Sequence, residues 1–555
     1  MADRKSGSGL TALGVVASIA MIGSLLCLGI GILGYRGLRD SAPRPEAAPE
    51  ASSADQELPL VAAESAVPRL EPAAPYVPKD GLVEIEISEY AGYAGLIAAN
   101  GGLGPNPESW FAKNAGFQVK LVVSEEDAWS RLNSGKLAAT VTTADVLPLY
   151  GRQFEITVPA QIGFSRGADG VVVRKEVKRF NDLRGKTLVT QQFGESEFFV
   201  RYLAQEAGIP VTTGDSPAGP DPAAIHLVFA EDAFAAGDAF AGDTSGRLAG
   251  CVTWDPKTTE VANASEGNAH VLVTNRNLLV IADILVVNKG FATAHPDMVQ
   301  GLVEGLLIGN DRVRTNPKAE AARIARAFAW TEPQALAELS KVHLSNLPEN
   351  LAFFQGEIGM AGSFGGIFQS SVLAYGREIV REVVSPERFV DLTALKALET
   401  AGKFPNQEIA IAPVRSAGAG SIEDDPLLSK DIRFLFVPNS AEVDPKHPAN
   451  LENLAAMRRL LQVSPGSTLL LRGHVDDARK EEFRNQGGEA FVREMSLKAI
   501  DLSTKRASAV EAKLVEVEGV DEKRVEAVGI GWEEPADRAN PEANRRVEVQ
   551  WFTLE

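Results

Sequence analysis

Cysteine and histidine are scarce in this chain, which has two cysteines and six histidines among 555 residues. Cys27 lies in an apolar N-terminal run and Cys251 stands alone further along, so the sequence offers no disulfide within a domain and no cysteine metal site. The histidines are scattered, without an HExxH pattern or a paired spacing. We therefore predict no metal and no cofactor.

Basic residues are outnumbered, because 55 Lys and Arg stand against 74 Asp and Glu, for a formal charge of −19. Nucleic-acid binding needs a basic surface, so this balance argues against a nucleic-acid partner. The sequence also lacks a GxSxG elbow, a glycine-rich phosphate loop and a cysteine with a histidine partner. Without a nucleophile and a base to place in a pocket, we predict a binding protein and not an enzyme.

One long apolar run is present, at residues 10–35, and it has no charged side chain. At about 1.5 Å per residue, a helix of this length exceeds the roughly 30 Å of a bilayer core. A cleaved signal peptide would have a shorter apolar core and a small-residue cleavage site, whereas "RGLRDSAPRP" follows here. Leu26 also makes Cys27 a poor lipoprotein site. We predict an uncleaved transmembrane helix over 10–35, after a cytoplasmic tail over 1–9.

The rest of the chain divides at two linkers. Residues 36–79 are rich in Pro, Ala and Glu, which is typical of a semi-extended tether, and residues 406–426 form a shorter second linker. Between them, residues 80–405 alternate strand and helix patterns, which predicts an α/β domain with a largely parallel sheet. Residues 427–555 predict a smaller α+β domain of βαβ-αβ order.

Three segments of the middle domain follow one another in a telling order: "SRGADGVVV" (165–173), "FNDLRGKTL" (180–188) and "LAGCVTWDP" (248–256). In this order they resemble the periplasmic solute-binding proteins of the nitrate, sulfonate and taurine type (NMT1-like). The resemblance implies a type II periplasmic-binding-protein fold, in which two lobes close on a small solute, with the second lobe at about 175–275. The ligand is then expected in the cleft, beside strand ends and helix N-termini.

Candidate solute contacts are the polar and aromatic side chains that follow predicted strands or begin predicted helices: Ser88, Tyr90, Tyr93, Thr142, Thr143, Asp145, Gln191, Glu195, Ser196, Thr253, Trp254, Asp255 and Asp283. Some have a structural alternative. Ser196 is also a natural helix N-cap, the aspartates at 145 and 255 also suit turns or caps, and the two tyrosines also suit a core. Glu195 would repel an anion, so neutral, zwitterionic and cationic solutes stay open beside anionic ones.

The last domain contains "FLFVPNSAEV" (434–443), "GHVD" (473–476), "LSTKRASAV" (502–510), "GIGWEEP" (529–535) and "NRRVEV" (544–549). These five elements, in order, resemble the OmpA-like peptidoglycan-binding domain. The resemblance implies that Asp476 and Arg506 grip the ammonium and carboxylate at the free end of diaminopimelate in the stem peptide. It assigns Asn439 a supporting role, and it gives Arg545 and Arg546, which open the last strand, either a place near the site or a structural role.

The chain departs from that pattern in one place, because 30 residues separate Asp476 from Arg506, more than in the family. The extra segment lies within 478–499 and predicts an inserted helix or loop. The grip survives only if this insertion leaves both side chains facing one pocket. Val475 also stands where the family has Thr.

Together these features predict a protein of the bacterial inner membrane, single-pass with its N-terminus inside, whose bulk lies in the periplasm. It would be held to peptidoglycan and would pass a small solute, of anionic or other charge, to an ABC-type permease or a signalling partner. The alternative is a non-transporting cell-envelope scaffold with a degenerate clamshell. A proton-conducting stator is disfavoured, because residues 10–35 contain no acidic side chain.

Overall fold

The computed structural model describes residues 58–124, 128–356, 362–411, 427–436, 441–444 and 447–553. The predicted membrane run at 10–35 and Asn439 lie outside these residues. Within the described ranges, no helix combines the length and apolar character that crossing a bilayer requires. The described strands form two sheets of six strands and one sheet of four.

Twelve strands build the two larger sheets, and they are β1 (Leu82–Ile87), β2 (Gln118–Val123), β3 (Ala139–Thr143), β4 (Ile156–Ser165), β5 (Asp169–Arg174), β6 (Thr187–Gln191), β7 (Val211–Thr213), β8 (Ile225–Ala230), β9 (Gly250–Trp254), β10 (Ala269–Thr274), β11 (Ala282–Asn288) and β12 (Val342–Leu344). Lobe 1 has the order β2-β1-β3-β11-β4-β12 and lobe 2 the order β7-β8-β6-β9-β5-β10. Parallel and antiparallel pairs mix in each sheet, so the prediction of a largely parallel sheet was wrong.

Helices pack around these strands, and they are α1 (Ala94–Asn100), α2 (Trp129–Asn133), α3 (Leu147–Tyr150), α4 (Glu195–Glu206), α5 (Ala233–Gly242), α6 (Lys257–Ala264), α7 (Lys289–Ala294), α8 (Pro296–Thr315), α9 (Pro317–Ala327), α10 (Glu332–Leu339), α11 (Leu347–Gln355), α12 (Phe364–Ile379) and α13 (Thr393–Thr400). Strands β3, β4 and β11 are buried along their whole length. This explains their near-continuous apolar character, because helices cover both faces of such a sheet.

The chain crosses between the lobes twice, at 166–168 after β4 and at 275–281 before β11. Helix α12 makes a further link between the lobes. The Ser371 hydroxyl donates to the Asp145 carbonyl of lobe 1 at 2.6 Å, and the Tyr375 hydroxyl donates to the Gly194 carbonyl of lobe 2 at 3.3 Å. The lobes are therefore held together by side-chain contacts as well as by the two crossings.

Residues 58–79, named the strap below, run along both lobes and not as a free tether. On lobe 2 the Val61 amide donates to the Phe229 carbonyl at 2.8 Å. On lobe 1 the Ala74 amide donates to the Asn133 carbonyl at 2.9 Å, and Asn288 bonds the strap twice, at the Tyr76 amide and the Ala74 carbonyl. The described part of the predicted 36–79 linker is thus docked, because its backbone finds partners on the clamshell.

The C-terminal domain has four strands and two long helices: β13 (Leu428–Ile432), α14 (Pro448–Val463), β14 (Thr468–His474), α15 (Lys480–Glu518), β15 (Val525–Gly531) and β16 (Val547–Phe552). The strand order is β13-β16-β14-β15, so β15 completes a sheet that the predicted βαβ-αβ order left one strand short. Two glycines let α15 approach this sheet closely. A Cβ at Gly473 would lie 2.2 Å from the Ser503 carbonyl oxygen, and one at Gly529 would lie 2.2 Å from the Thr504 hydroxyl.

This domain packs against lobe 2 and the second crossing. The Asn181 side chain exchanges two hydrogen bonds with the Ser429 backbone, at 2.8 and 2.9 Å. At the crossing, the Leu279 amide donates to the Val463 carbonyl at the end of α14, at 2.8 Å. Apolar side chains of both domains join in one buried cluster, so the C-terminal domain is attached to the clamshell by a core as well as by hydrogen bonds.

Candidate functional site

A cavity of about 90 Å³ lies between the two lobes, and its mouth opens to solvent. Lobe 1 contributes most of the wall, through the ends of β1 and β3, the start of α2 and the beginning of β11. Lobe 2 contributes the remainder, which consists of Asp169, Gln191, Glu195 and Trp254. A ligand in this cavity would touch both lobes, as a clamshell receptor requires.

Most of the predicted solute contacts line this cavity: Ser88, Tyr90, Tyr93, Thr142, Thr143, Gln191, Glu195, Trp254 and Asp283. They come from five separate strand ends, and the fold brings them together. The hydroxyl of Tyr93 donates to Oδ1 of Asp283 at 3.3 Å across 190 residues of sequence. The tyrosine rings at 90 and 93 pack edge to face with centroids 5.3 Å apart, so they form part of the wall as well as of the core.

Asp145, Ser196, Thr253 and Asp255 are not among the cavity-lining residues. Asp255 accepts from the Thr259 amide in the first turn of α6, where Pro256 occupies the N-cap position, and it links the lobes through an ion pair with Lys341 of lobe 1 at 2.7 Å. Ser196 and Thr253 are fully buried. Ser196 does not cap its helix, because Gly194 occupies the N-cap position of α4.

The sequence reasoning missed several lining residues, chiefly Glu86, Trp129, Ser165 and Asp169. Asp169 lies in the "SRGADG" segment, where the chain enters lobe 2, and it accepts from the Ser165 hydroxyl and the Asn275 amide group. Its position at the first residue of β5, directly after a crossing between lobes, was the available signal. Glu86 was missed because its sequence position is that of an ordinary solvent-facing polar residue of β1. In the structure it is 2% exposed and forms an ion pair with Arg131 at 2.6 Å.

The electrostatics of the cleft are dominated by buried carboxyl groups. Burial raises the pKa of Asp283 well above its usual range, and the neighbouring charge of Asp169 raises it further. Burial likewise raises the pKa of Asp169 to about 6, and it raises the pKa of Asp145, behind the cavity wall, to about 7. The charge of Asp169 raises the pKa values of both Asp145 and Asp283, and the charge of Asp255 raises that of Asp169, so like charges add to the effect of burial.

A second cluster lies in the C-terminal domain, where Asp476 follows β14, Arg506 lies on α15 and Arg545 precedes β16. Nε of Arg545 donates to Oδ2 of Asp476 at 2.7 Å. The guanidinium of Arg506 lies over the ring of Phe436, 5.0 Å from its centroid. Burial lowers the pKa of Arg506, the charge of Arg545 adds to this, and the charge of Asp476 opposes it. Asp476 and Arg506 therefore share one electrostatic environment despite their separation in sequence.

The insertion between these two residues is helical. Helix α15 bends at Gly487 and Gly488, and its first part folds over the sheet edge, where Phe483 stacks on Trp532 with centroids 6.2 Å apart. A small apolar cluster holds the insertion there, formed by Val475, Phe483, Val492, Ala499 and Trp532. Val475, which stands where the family has Thr, thus contributes packing in this chain.

Two other predicted members of this site are placed differently. Arg546 is turned to Asp431 of β13, with Nε 2.7 Å from Oδ1, and its carbonyl accepts from the His474 amide. It therefore joins β13 and β14 to the last strand and stands apart from the Asp476 pair. Asn439 lies outside the described residues.

Two lobes joined by two crossings around a cavity that both lobes line define a clamshell of the solute-binding type. Comparison with protein families agrees with this class: residues 108–320 match the family described as NMT1/THI5 like. Residues 435–548 match the OmpA family. The chain therefore carries an NMT1/THI5-like domain within its clamshell and an OmpA domain at its C-terminal side.

Among solved structures, the chain is similar to the periplasmic aliphatic sulphonate binding protein SsuA from Escherichia coli, with 15% identity over 62% of this chain and 99% of that chain and a TM-score of 0.43. It is also similar to the periplasmic nitrate-binding protein NrtA from Synechocystis PCC 6803, with 11% identity, 58% and 90% coverage and a TM-score of 0.40. No curated protein sequence matches the chain.

Proposed function

We propose that this protein is a cell-envelope receptor that captures a small solute in its interlobe cavity while its OmpA domain holds the stem peptide of peptidoglycan. The observation that carries the proposal is the presence, in one chain, of a cavity lined from two lobes and a separate cluster of Asp476, Arg506 and Arg545. We infer binding without catalysis at both sites.

The C-terminal cluster suits a zwitterion. Diaminopimelate ends in an ammonium and a carboxylate on one carbon, so it needs an acceptor and a forked donor side by side. Asp476 supplies the acceptor, and Arg545 holds its carboxylate in place. Arg506 supplies the donor, because among the described residues its Nε has no hydrogen-bond partner.

Pull-down of the full chain with diaminopimelate-type peptidoglycan tests this site. We expect Asp476→Ala and Arg506→Ala each to abolish retention, and Arg506→Lys to weaken it, because Lys keeps the charge and loses the bidentate fork. The matched controls are Asp501→Ala and Lys505→Ala, which break an exposed ion pair on the same helix and should bind as the wild type does. Retention by both site variants would place the peptidoglycan site elsewhere.

The cavity favours a receptor over a scaffold with a degenerate clamshell, because such a scaffold would fill its cleft with side chains. Delivery to an ABC-type permease or a signalling partner is part of the proposal, as is anchorage in the inner membrane by residues 10–35. N-terminal sequencing of protein isolated from membranes tests the anchor. A mature chain that begins after residue 40 would contradict it.

A further inference from the structure

The charge of the interlobe cavity points away from an anionic solute. Four carboxyl groups line it, from Glu86, Asp169, Glu195 and Asp283, and among the described lining residues there is no Lys or Arg. Glu86 forms an ion pair with Arg131 at 2.6 Å. An oxyanion in this cavity would oppose the ionised forms of these carboxyl groups in a region of low dielectric, whereas a cation would favour them.

One of these carboxyl groups also has an unfilled acceptor. Asp283 is 3% exposed, and its Oδ1 accepts from Tyr93 while its Oδ2 has no hydrogen-bond partner among the described residues. A buried carboxylate oxygen without a donor is costly, so such an atom marks a place where a donor is expected to arrive. Oδ2 belongs to a residue that lines the cavity, so the missing donor is one that a ligand can bring.

Aromatic rings complete the wall. Tyr90, Tyr93, Trp129 and Trp254 all line the cavity, and they come from both lobes. Aromatic faces attract cations through the ring quadrupole, and carboxylates together with aromatic rings are how proteins enclose organic ammonium groups. Among the described residues, the buried Nε1 of Trp254 and the hydroxyl groups of Tyr90 and Thr143 have no hydrogen-bond partner, which leaves three donors for neutral polar groups on the same ligand.

We propose that the cleft binds a small organic cation, with an ammonium group held by Asp283 and its neighbouring carboxylates and with its carbon body against the aromatic wall. This inference rests on the proposed receptor function and names the class of its solute. This charge is opposite to that of the sulphonate and nitrate for which the two similar periplasmic proteins are named.

Isothermal titration calorimetry of the full chain separates the alternatives. The cationic probes are putrescine, choline and histamine, and the anionic probes are nitrate, sulfate and methanesulfonate. We expect at least one cation to bind and no anion to do so. Asp283→Asn and Glu195→Gln should each weaken the bound cation about tenfold or more, because each removes a charge-assisted contact while keeping the side-chain shape. Asp311→Asn, an exposed change on α8, is the matched control and should leave the affinity unchanged.

Each other outcome has a distinct meaning. Binding of an anion without a cation overturns the charge assignment and leaves the receptor function standing. Equal cation affinity in the wild type and in both cleft variants overturns the assignment to this cavity. Failure of all six probes contradicts the inference and the solute-binding function together. Glu195 is partly exposed at the start of its helix, so its variant remains informative if Asp283→Asn fails to fold.

Discussion

Asp145 gives a test of the cleft electrostatics that needs no ligand. Its side chain is fully buried, and burial raises its pKa from 3.8 to about 7. The folded protein therefore keeps the proton on Asp145 at pH values where the unfolded chain has lost it. The contribution of protonated Asp145 to the free energy of unfolding is complete below pH 3.8. It falls as the pH rises from 3.8 to about 7, and above that pH it stays at its lowest level. Asp145→Asn removes the titration and keeps the shape of the side chain.

The size of the effect follows from the two pKa values. Each unit of pKa difference corresponds to about 1.4 kcal/mol, so ionising Asp145 in the folded state costs the wild type up to about 4 kcal/mol. Between pH 5 and pH 8 the cost grows by about 2 to 3 kcal/mol. Relative to the wild type, Asp145→Asn should therefore gain that much unfolding free energy on going from pH 5 to pH 8.

Urea unfolding at the two pH values, followed by tryptophan fluorescence, measures this difference, because Trp129 lies in the same lobe. Asp311→Asn serves as the control and should show the same difference from the wild type at both pH values. A difference between Asp145→Asn and wild type that does not change with pH, or that grows more destabilising at pH 8, would refute the argument that burial keeps this carboxyl protonated.

Three further predictions concern the strap, the C-terminal domain and the cleft. Asn288→Ala removes a buried amide that makes four hydrogen bonds to the strap and to nearby backbone; it should cost about 2–4 kcal/mol and speed limited proteolysis within 58–79. Gly529→Ala should destabilise the C-terminal domain by about 1–3 kcal/mol in urea unfolding, because the added methyl meets α15, whereas Gly365→Ala, where a Cβ meets nothing within 4 Å, should be neutral. The affinity for a bound cation should rise by up to about tenfold from pH 5 to pH 7 in calorimetry, because Asp169, with a pKa of about 6, loses its proton over that range and the raised pKa of Asp283 acts in the same direction. Affinity that falls as the pH rises would contradict the last prediction.

The sequence predicted strands where short apolar runs have clear ends. The apolar runs at 81–88 and 138–144 are of this kind, and they contain β1 and β3. Strand β4 was not predicted, because Pro159 lies within it and both of its faces are buried. Burial of both faces removes the alternation of apolar and polar residues that indicates a strand. The segment at 478–499 was predicted as an inserted helix or loop, and the structure has it as the first part of α15, which bends at Gly487 and Gly488.

The residues of the candidate site also fall into those that the sequence predicts and those that it does not. Residues close to strand ends, such as Tyr93 after β1 and Asp283 at the start of β11, could be predicted, because strand ends gather at one edge of a sheet. Asp169 was missed, because its role depends on which strand follows the crossing between lobes. The contact of Asp476 with Arg545 depends on the pairing of β14 with β16, which joins residues 69 positions apart.

The strap has a mechanical consequence. It is hydrogen-bonded to lobe 2 at Val61 and to lobe 1 at Ala74, so it connects the lobes in addition to the two crossings. A rotation that separates the lobes must extend the strap or break the hydrogen bonds at one of its ends. Release of a bound solute then depends on how strongly residues 58–79 are bound to the lobes. A force applied to the chain from its N-terminal side would act first on the hydrogen bond of Val61, and therefore on lobe 2 before lobe 1.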